Sequence, residues 1–308
     1  MVGRRALEGR ARWRARQRPA RLLPRILSVI ICMGCAPLRA DQQMRCLHVS
    51  QPPAIDGVAS ESSWSRPKAV VTRDAVSAVD VELRCLYSSQ AIFFLVSYAD
   101  PDESREHKTM HWDPEQKRYR SGPEREDTFV FKWSMEPDPI DLSLAADHPY
   151  KADIWYWKAL RTDPVGYADD KYQVYTNAPV GRATRLLSHS GRRFYLLRDG
   201  DDGEPAYEML VHAEFERELM SRYTHRKPTL SRADVRAKGL WQDGRWTIEL
   251  GRALRTAHHD DVQFEPGRRY QFGISRHEIA GRKSDATLRT PDFGAGEVGE
   301  SLTLVFDH

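Results

Sequence analysis

The chain contains little cysteine. Cys32 and Cys35 lie in the first 40 residues, and only Cys46 and Cys85 follow them. Nothing matches Cys-x-x-Cys-His, so covalent attachment of a c-type haem is excluded, and two cysteines are too few for a cysteine-based zinc site. Because Cys46 and Cys85 lie in strand-like runs, and cysteines pair in an oxidising compartment, the sequence leaves open either a disulfide or two buried thiols.

The chain also lacks an apolar run that could span a bilayer. The run at residues 26–36, ILSVIICMGCA, has the length of a signal-peptide core and follows an arginine-rich lead. We therefore expect residues 1–40 to be an export segment, either a signal peptide cleaved after Ala40 or a lipoprotein-type signal. In the second case a lipid on Cys35 is the membrane anchor. The alternative is a disordered basic tail on a cytoplasmic protein.

The chain after residue 40 lacks an excess of basic residues. The formal net charge is +3, but residues 1–40 hold ten arginines and one acid, whereas the remainder holds 37 basic and 43 acidic residues. This balance argues against a nucleic-acid partner. A nucleophile-elbow serine, a phosphate loop and a pair of catalytic carboxylates are also missing, so no motif requires an enzyme.

Short strand patterns dominate the chain after the export segment. Strands are predicted over 79–87, 91–98, 127–133, 152–160, 193–198, 237–241, 245–250, 269–277 and 301–306. One helix is predicted over 206–223, and the polar segments 100–125, 199–204 and 281–299 are predicted to be long loops. The pattern predicts an all-β fold, an antiparallel β-sandwich with long loops and one or two short helices, as a single domain over 41–308.

The most unusual motif is ADIWYWKALRTDPVGYADDK at residues 152–171. Because strand residues alternate between faces, Trp155 and Trp157 share one face, and Tyr156 and Lys158 share the other. If the second face is buried, the cost of burying a charge favours a neutral amine, which can ligate a metal. The alternative is a lysine whose stem covers aromatic rings while its amine stays in solvent.

Other metal-binding side chains have simpler explanations. Asp169 and Asp170 could form a carboxylate pair or bind calcium, but turn chemistry accounts for them. The run His258-His259-Asp260-Asp261 is predicted to be a polar loop, because adjacent histidines on a strand point to opposite faces.

Four landmarks carry a resemblance to a known family. They are Ile55-Asp56-Gly57 with Trp64, the hairpin ending in Tyr98-Ala99-Asp100, Glu126-Asp127 before a strand to Trp133, and Asp153 to Lys158 with Pro164-Val165-Gly166 and Asp169-Asp170 behind it. From about Pro52 onward the chain resembles the haem-binding domain of the ethylbenzene dehydrogenase gamma-subunit family, found with periplasmic molybdenum enzymes of the dimethyl-sulfoxide-reductase group. Its opening and closing pieces are shared with sugar-binding modules, so the Asp-x-Trp-x-Trp-Lys piece is the specific one.

The resemblance implies a non-covalent haem b with a lysine and a methionine as axial ligands. Lys158 matches the lysine, with Tyr156, Trp155 and Trp157 as the surrounding cofactor-binding residues. The methionine is expected on the strand near Cys85, where the sequence has none.

Met110 and Met135 are the nearest methionines, and Met110 is the candidate for the second ligand. His107 and His111 flank it and carry imidazoles, which also bind iron. Asp153 and Asp170 are expected to brace the lysine loop.

The resulting expectation is an exported electron-transfer protein or subunit. Its partner would be a periplasmic molybdenum oxidoreductase or a cytochrome. The alternative is a non-haem β-sandwich module that binds a carbohydrate or another small ligand on exposed aromatic rings.

Overall fold

The computed structural model describes residues 42–74, 79–277 and 300–307. The chain divides into two compact units, 1–38 and 39–308, and all described residues belong to the second. The expected export segment with Cys35 and the expected loop over 281–299 therefore lie outside the described residues. Within them, no helix has the length and apolar character needed to cross a membrane.

The described residues form β-strands and three short 3-10 helices, with no α-helix among them. The strands are β1 (Gln42–His48), β2 (Val70–Arg73), β3 (Asp80–Tyr87), β4 (Ala91–Ala99), β5 (Met110–Asp113), β6 (Arg118–Ser121), β7 (Thr128–Ser134), β8 (Tyr150–Lys158), β9 (Asp169–Thr176), β10 (Thr184–Leu187), β11 (Arg193–Gly200), β12 (Tyr207–Met209), β13 (Leu219–Met220), β14 (Tyr223–His225), β15 (Arg236–Gln242), β16 (Arg245–Ala253), β17 (Arg269–His277) and β18 (Leu302–Phe306). The 3-10 helices are Ser62–Ser65, Asp163–Val165 and Leu230–Ala233.

Thirteen strands form one sheet in the order β10-β11-β9-β8-β7-β17-β18-β1-β3-β4-β16-β15, with β2 paired to β3. Strand β1 runs parallel to both β18 and β3, and the other neighbours in this sheet are antiparallel. Two small sheets, β12-β14 and β13-β5-β6, complete the fold.

The large sheet folds onto itself, and its two halves enclose an aromatic core. The ring of Phe94 on β4 lies 4.9 Å from that of Phe131 on β7. Trp157 on β8 lies 4.8 Å from Trp246 on β16. Contacts between strands so far apart in the sheet are possible only when its halves face each other, so the predicted β-sandwich is confirmed.

Cys46 and Cys85 occupy paired positions on β1 and β3. Their Cα atoms are 4.5 Å apart, and a disulfide joins them. The sequence alone could not distinguish a disulfide from two buried thiols, because the pairing depends on which strands are neighbours in the sheet.

The prediction of a helix over 206–223 is wrong, because parts of this segment form strands that pair with other strands. Residues Tyr207–Met209 pair with Tyr223–His225, and Leu219–Met220 pair with β5. The Tyr119 hydroxyl, on β6, also accepts hydrogen bonds from the Glu216 and Arg217 backbone amides at 3.1 and 3.2 Å. Helix propensity is a weak preference, and these tertiary bonds outweigh it.

The loop predicted over 100–125 also contains regular structure. Strands β5 and β6 form a hairpin in which Trp112 lies opposite Tyr119. Their rings pack edge to face with centroids 5.1 Å apart, and such aromatic cross-strand pairs stabilise short hairpins.

Candidate functional site

Lys158, the last residue of β8, is buried. Its side chain lies on the opposite face of the strand from Trp155 and Trp157, which pack in the core between the two halves of the sheet. The amine lies 4.4 Å from the centre of the Tyr156 ring and 4.9 Å from that of Tyr207. The lysine is therefore enclosed by aromatic rings, and it does not extend into solvent.

Asp169, at the start of β9, binds the Lys158 amine through a short ion pair. The same carboxylate accepts a hydrogen bond from Arg232 at 2.8 Å and lies 3.2 Å from the Lys171 amine. The Tyr207 hydroxyl lies 3.1 Å from the Lys158 amine, which donates to it. Although burial by itself raises the pKa of Asp169, the three cations, led by Lys158, hold that pKa well below its ordinary value.

Burial lowers the pKa of Lys158 to about 8. The Asp169 carboxylate opposes this change, and the neighbouring Arg161 guanidinium adds to it. Desolvation therefore has the larger effect, and the amine loses its proton more easily than an exposed lysine does. Once deprotonated, a buried amine of this kind is a competent metal ligand.

The lowered pKa predicts a stability that increases with pH. Between pH 8 and the ordinary lysine value of 10.5, the folded amine is deprotonated while the unfolded amine still holds its proton. The unfolded chain then binds more protons, so the free energy of unfolding rises through this window, by about 1–3 kcal/mol. We expect Lys158→Met to remove this increase and Lys151→Met, an exposed lysine on the same strand, to keep it. Urea unfolding of the wild type and both variants from pH 7.5 to 10 measures the free energy of unfolding. The same pH dependence in Lys158→Met and the wild type would contradict the lowered pKa of Lys158.

A second group of polar residues lies beside the amine. Glu126 accepts hydrogen bonds from the backbone amides of Leu160 and Arg161, at 2.7 and 2.9 Å, and forms a short ion pair with the Arg161 side chain. The Arg161 guanidinium lies over the rings of both Tyr207 and Tyr223. Glu126 thereby fixes the loop that follows Lys158.

His107 belongs to this group and is neutral. Its ring centre lies 5.8 Å from that of Tyr223, and its Nδ1 lies 3.5 Å from Glu126. This nitrogen makes no hydrogen bond to the described part of the chain. Burial, followed by the charge of Arg161, lowers the pKa of His107 to about 2.

The other two candidate ligands, Met110 and His111, are bonded to other side chains. Met110, on β5, is half-buried, and its sulfur accepts a hydrogen bond from Arg222 at 3.5 Å. The Nε2 of His111 lies 2.6 Å from a Glu124 carboxylate oxygen. His107, in contrast, has a buried Nδ1 without a hydrogen bond in the described residues.

Asp153 and Asp170 do not brace the lysine, contrary to expectation. Asp170 lies opposite Trp155 in the β8–β9 register, so it shares the core face with Asp153. Asp169, its sequence neighbour, points the other way and binds Lys158. The two aspartates begin a strand rather than a turn, and the alternation of that strand separates them.

The space at the amine is mostly filled. A cavity of about 80 Å³ adjoins Tyr156 and is lined by Val130, Ile154, Tyr156, Lys171, Tyr172, Gln173 and Arg198. Pockets that enclose a drug-sized ligand are several times larger. The donor set fits a metal-ligating amine, and the Tyr207 hydroxyl and the Asp169 carboxylate now contact that amine.

Fold and site together define a β-sandwich protein with a buried, readily neutralised lysine on its outer face. A family model described as ethylbenzene dehydrogenase matches residues 53–286, and the chain belongs to that family. No curated protein matches the chain.

Two similar solved structures are carbohydrate-binding proteins. A carbohydrate binding module of family 9 from Caldicellulosiruptor kristjanssonii, in complex with glucose, is 11% identical, with a TM-score of 0.39 over 86% of this chain and 96% of that one. A putative carbohydrate-binding protein from Bacteroides uniformis is 10% identical, with a TM-score of 0.38 over 87% and 100%.

Proposed function

We propose that the chain is an exported electron-transfer protein that binds haem b without covalent bonds, with Lys158 as one axial ligand. Membership of the ethylbenzene dehydrogenase family supports the haem and a periplasmic molybdenum oxidoreductase or cytochrome as redox partner. The acidic balance of the chain after residue 40 suits a partner with a basic surface. When bound, the haem supplies one-electron chemistry.

The burial of the Lys158 amine carries the proposal. Only a neutral amine has a free lone pair, and desolvation has already lowered the pKa of this lysine to about 8. Asp169 would have to release the amine for ligation. Since Arg232 and Lys171 also contact this carboxylate, its charge remains compensated after the release. Tyr156 would border the haem on the same face.

The Tyr207 side chain would have to leave the amine as the haem enters. Tyr207 belongs to β12, which pairs with β14 in a two-stranded sheet separate from the large sheet. A two-stranded sheet has little stability by itself, so its displacement leaves the sandwich intact.

We propose His107 as the second ligand, in preference to Met110. Its imidazole is neutral and has an unbonded Nδ1, as ligation requires. Its ring packs on Tyr223, which packs on Tyr207, the residue that covers Lys158. The pair Tyr223 and Tyr207 thus links His107 to the surroundings of Lys158.

Visible absorption of the full chain, produced in a haem-supplied host, tests the proposal. We expect a Soret band and sharp α and β bands after reduction with dithionite, with positions that change in Lys158→Ala. Lys151→Ala, an exposed lysine on β8, is the matched control and is expected to keep the wild-type spectrum. Absence of any Soret band in a protein with a β-type circular dichroism spectrum would overturn the haem assignment and favour a non-haem binding module.

The same spectra identify the second ligand. His107→Ala is expected to convert the reduced haem to a five-coordinate form, whereas Met110→Ala is expected to leave it six-coordinate. The reverse result would assign the ligand to Met110.

A further inference from the structure

A second buried polar cluster lies on the core face of β8 and β9, opposite the lysine. It consists of Asp153 on β8, Asp170 on β9 and Asp261 in the loop after β16. Each offers a carboxylate oxygen, and these oxygens all lie within 4.8 Å of one another. Asp153 and Asp170 are completely buried, and Asp261 is 4% exposed.

In the part of the chain that the structure describes, one cation is bonded to this cluster. Arg252 Nη1, on β16, donates to Asp153 at 2.7 Å and to Asp261 at 2.9 Å. The same nitrogen is 3.9 Å from Asp170, which is too far for a hydrogen bond. Within the described residues, three buried carboxyl groups therefore share one bonded guanidinium.

Several of these oxygens have no partner in the described part of the chain. Neither oxygen of Asp170 makes a hydrogen bond, and neither does Oδ1 of Asp153. Folded proteins satisfy nearly all buried polar atoms, and an unbonded buried carboxylate is among the most expensive exceptions. Asp170 is fully buried within the cluster without a hydrogen-bond donor, which indicates that a positively charged ligand completes the site.

We propose that Asp153, Asp170 and Asp261 bind a calcium ion. All the donors are carboxylate oxygens, which hard cations prefer, and calcium accepts six to eight such ligands in irregular geometry. Magnesium retains several waters and requires a regular octahedron, which suits a dry, crowded site less well.

Zinc is disfavoured because the nearby imidazole is occupied. His258 Nδ1 lies 2.6 Å from Asp234 and is held by that contact. Its group with Asp234 and Asp261 is partly exposed, in contrast to the buried cluster.

The ion would join three parts of the fold. It would connect the neighbouring strands β8 and β9 to the segment that follows β16, which is distant in sequence. The site lies on the face of β8 and β9 opposite Lys158, so its occupancy does not depend on haem binding.

Calcium titration of the chelator-treated full chain tests the site. We expect one bound ion per chain by isothermal titration calorimetry and a rise of the thermal midpoint that magnesium does not reproduce. Terbium, a luminescent substitute for calcium, should be sensitised by Trp155, whose ring lies 4.8 Å from the Arg252 guanidinium.

The Asp170→Asn variant distinguishes a calcium ligand from an acid that has only a structural role. We expect the variant to lose calcium affinity by about tenfold or more, yet to be no less stable than the wild type in chelator, because it removes an unpartnered buried charge. Asp102→Asn, at an exposed aspartate, is the matched control and should bind calcium like the wild type. No calcium-dependent shift in the wild type, an equal shift in Asp170→Asn, or an equal effect of magnesium would overturn the proposal.

Discussion

Replacing Arg252 with methionine is expected to lower the free energy of unfolding by about 3–5 kcal/mol, measured in chelator. Methionine keeps most of the apolar stem but removes the guanidinium that bonds Asp153, Asp261 and the Val262 carbonyl. The carboxylates then remain buried without a counter-charge. Burial already raises the pKa of Asp170 well above its ordinary value, and the Asp153 carboxylate raises it further.

Urea unfolding followed by circular dichroism measures this loss. Arg255→Met is the matched control, because Arg255 is exposed and pairs only at the surface with Glu265. We expect that control to cost no more than about 1 kcal/mol. Saturating calcium should reduce the loss in Arg252→Met, since the cation compensates part of the negative charge. Equal free energies of unfolding for Arg252→Met and Arg255→Met would show that the hydrogen bonds of Arg252 add no stability.

Replacing Trp157 with alanine is expected to cost about 3–5 kcal/mol. The side chain is fully buried, and its ring packs edge to face against Trp246 at 4.8 Å. The indole nitrogen donates to Asp163 at 3.0 Å. Gly239 lies so close that a Cβ there would meet the indole at 2.5 Å. The surrounding backbone therefore fits this ring, and it cannot collapse fully into the space that alanine leaves.

Trp112→Ala provides the comparison for this prediction. Trp112 is half-buried on the small β13-β5-β6 sheet, so its loss creates no enclosed cavity. Guanidinium unfolding of both variants is expected to show the larger loss for Trp157→Ala by at least about 2 kcal/mol. Similar losses would mean that the core relaxes around the missing indole.

Strand patterns were the most predictable part of the fold. Strands β3, β4, β7 and β8 lie within two residues of their predicted bounds. Each combines β-branched or aromatic residues with alternation or a dense apolar run, and local periodicity of this kind depends on a single strand. The helix over 206–223 failed because its apolar side chains, including Val211 at 87% exposed, do not form a buried helical face.

The candidate site was predictable only in part. Alternation correctly placed Trp155 and Trp157 on one face of β8 and Lys158 on the other. Alternation could not show that the second face is buried, because Asp169 and Tyr207, which contact the Lys158 amine, belong to other strands. His107 also reaches the site from a segment that looked like a plain loop.

Side-chain alternation along one chain was enough to predict the β class, the main strands and the division of the Trp-Tyr-Trp-Lys motif between two faces. The disulfide between Cys46 and Cys85, the burial of Lys158 and the partners of Asp169 and Asp170 could be read only from the folded chain. Each of these depends on which distant segments become neighbours. The electrostatic energy of a lysine or aspartate is set by those neighbours, through desolvation and nearby charge, rather than by adjacent residues in the chain.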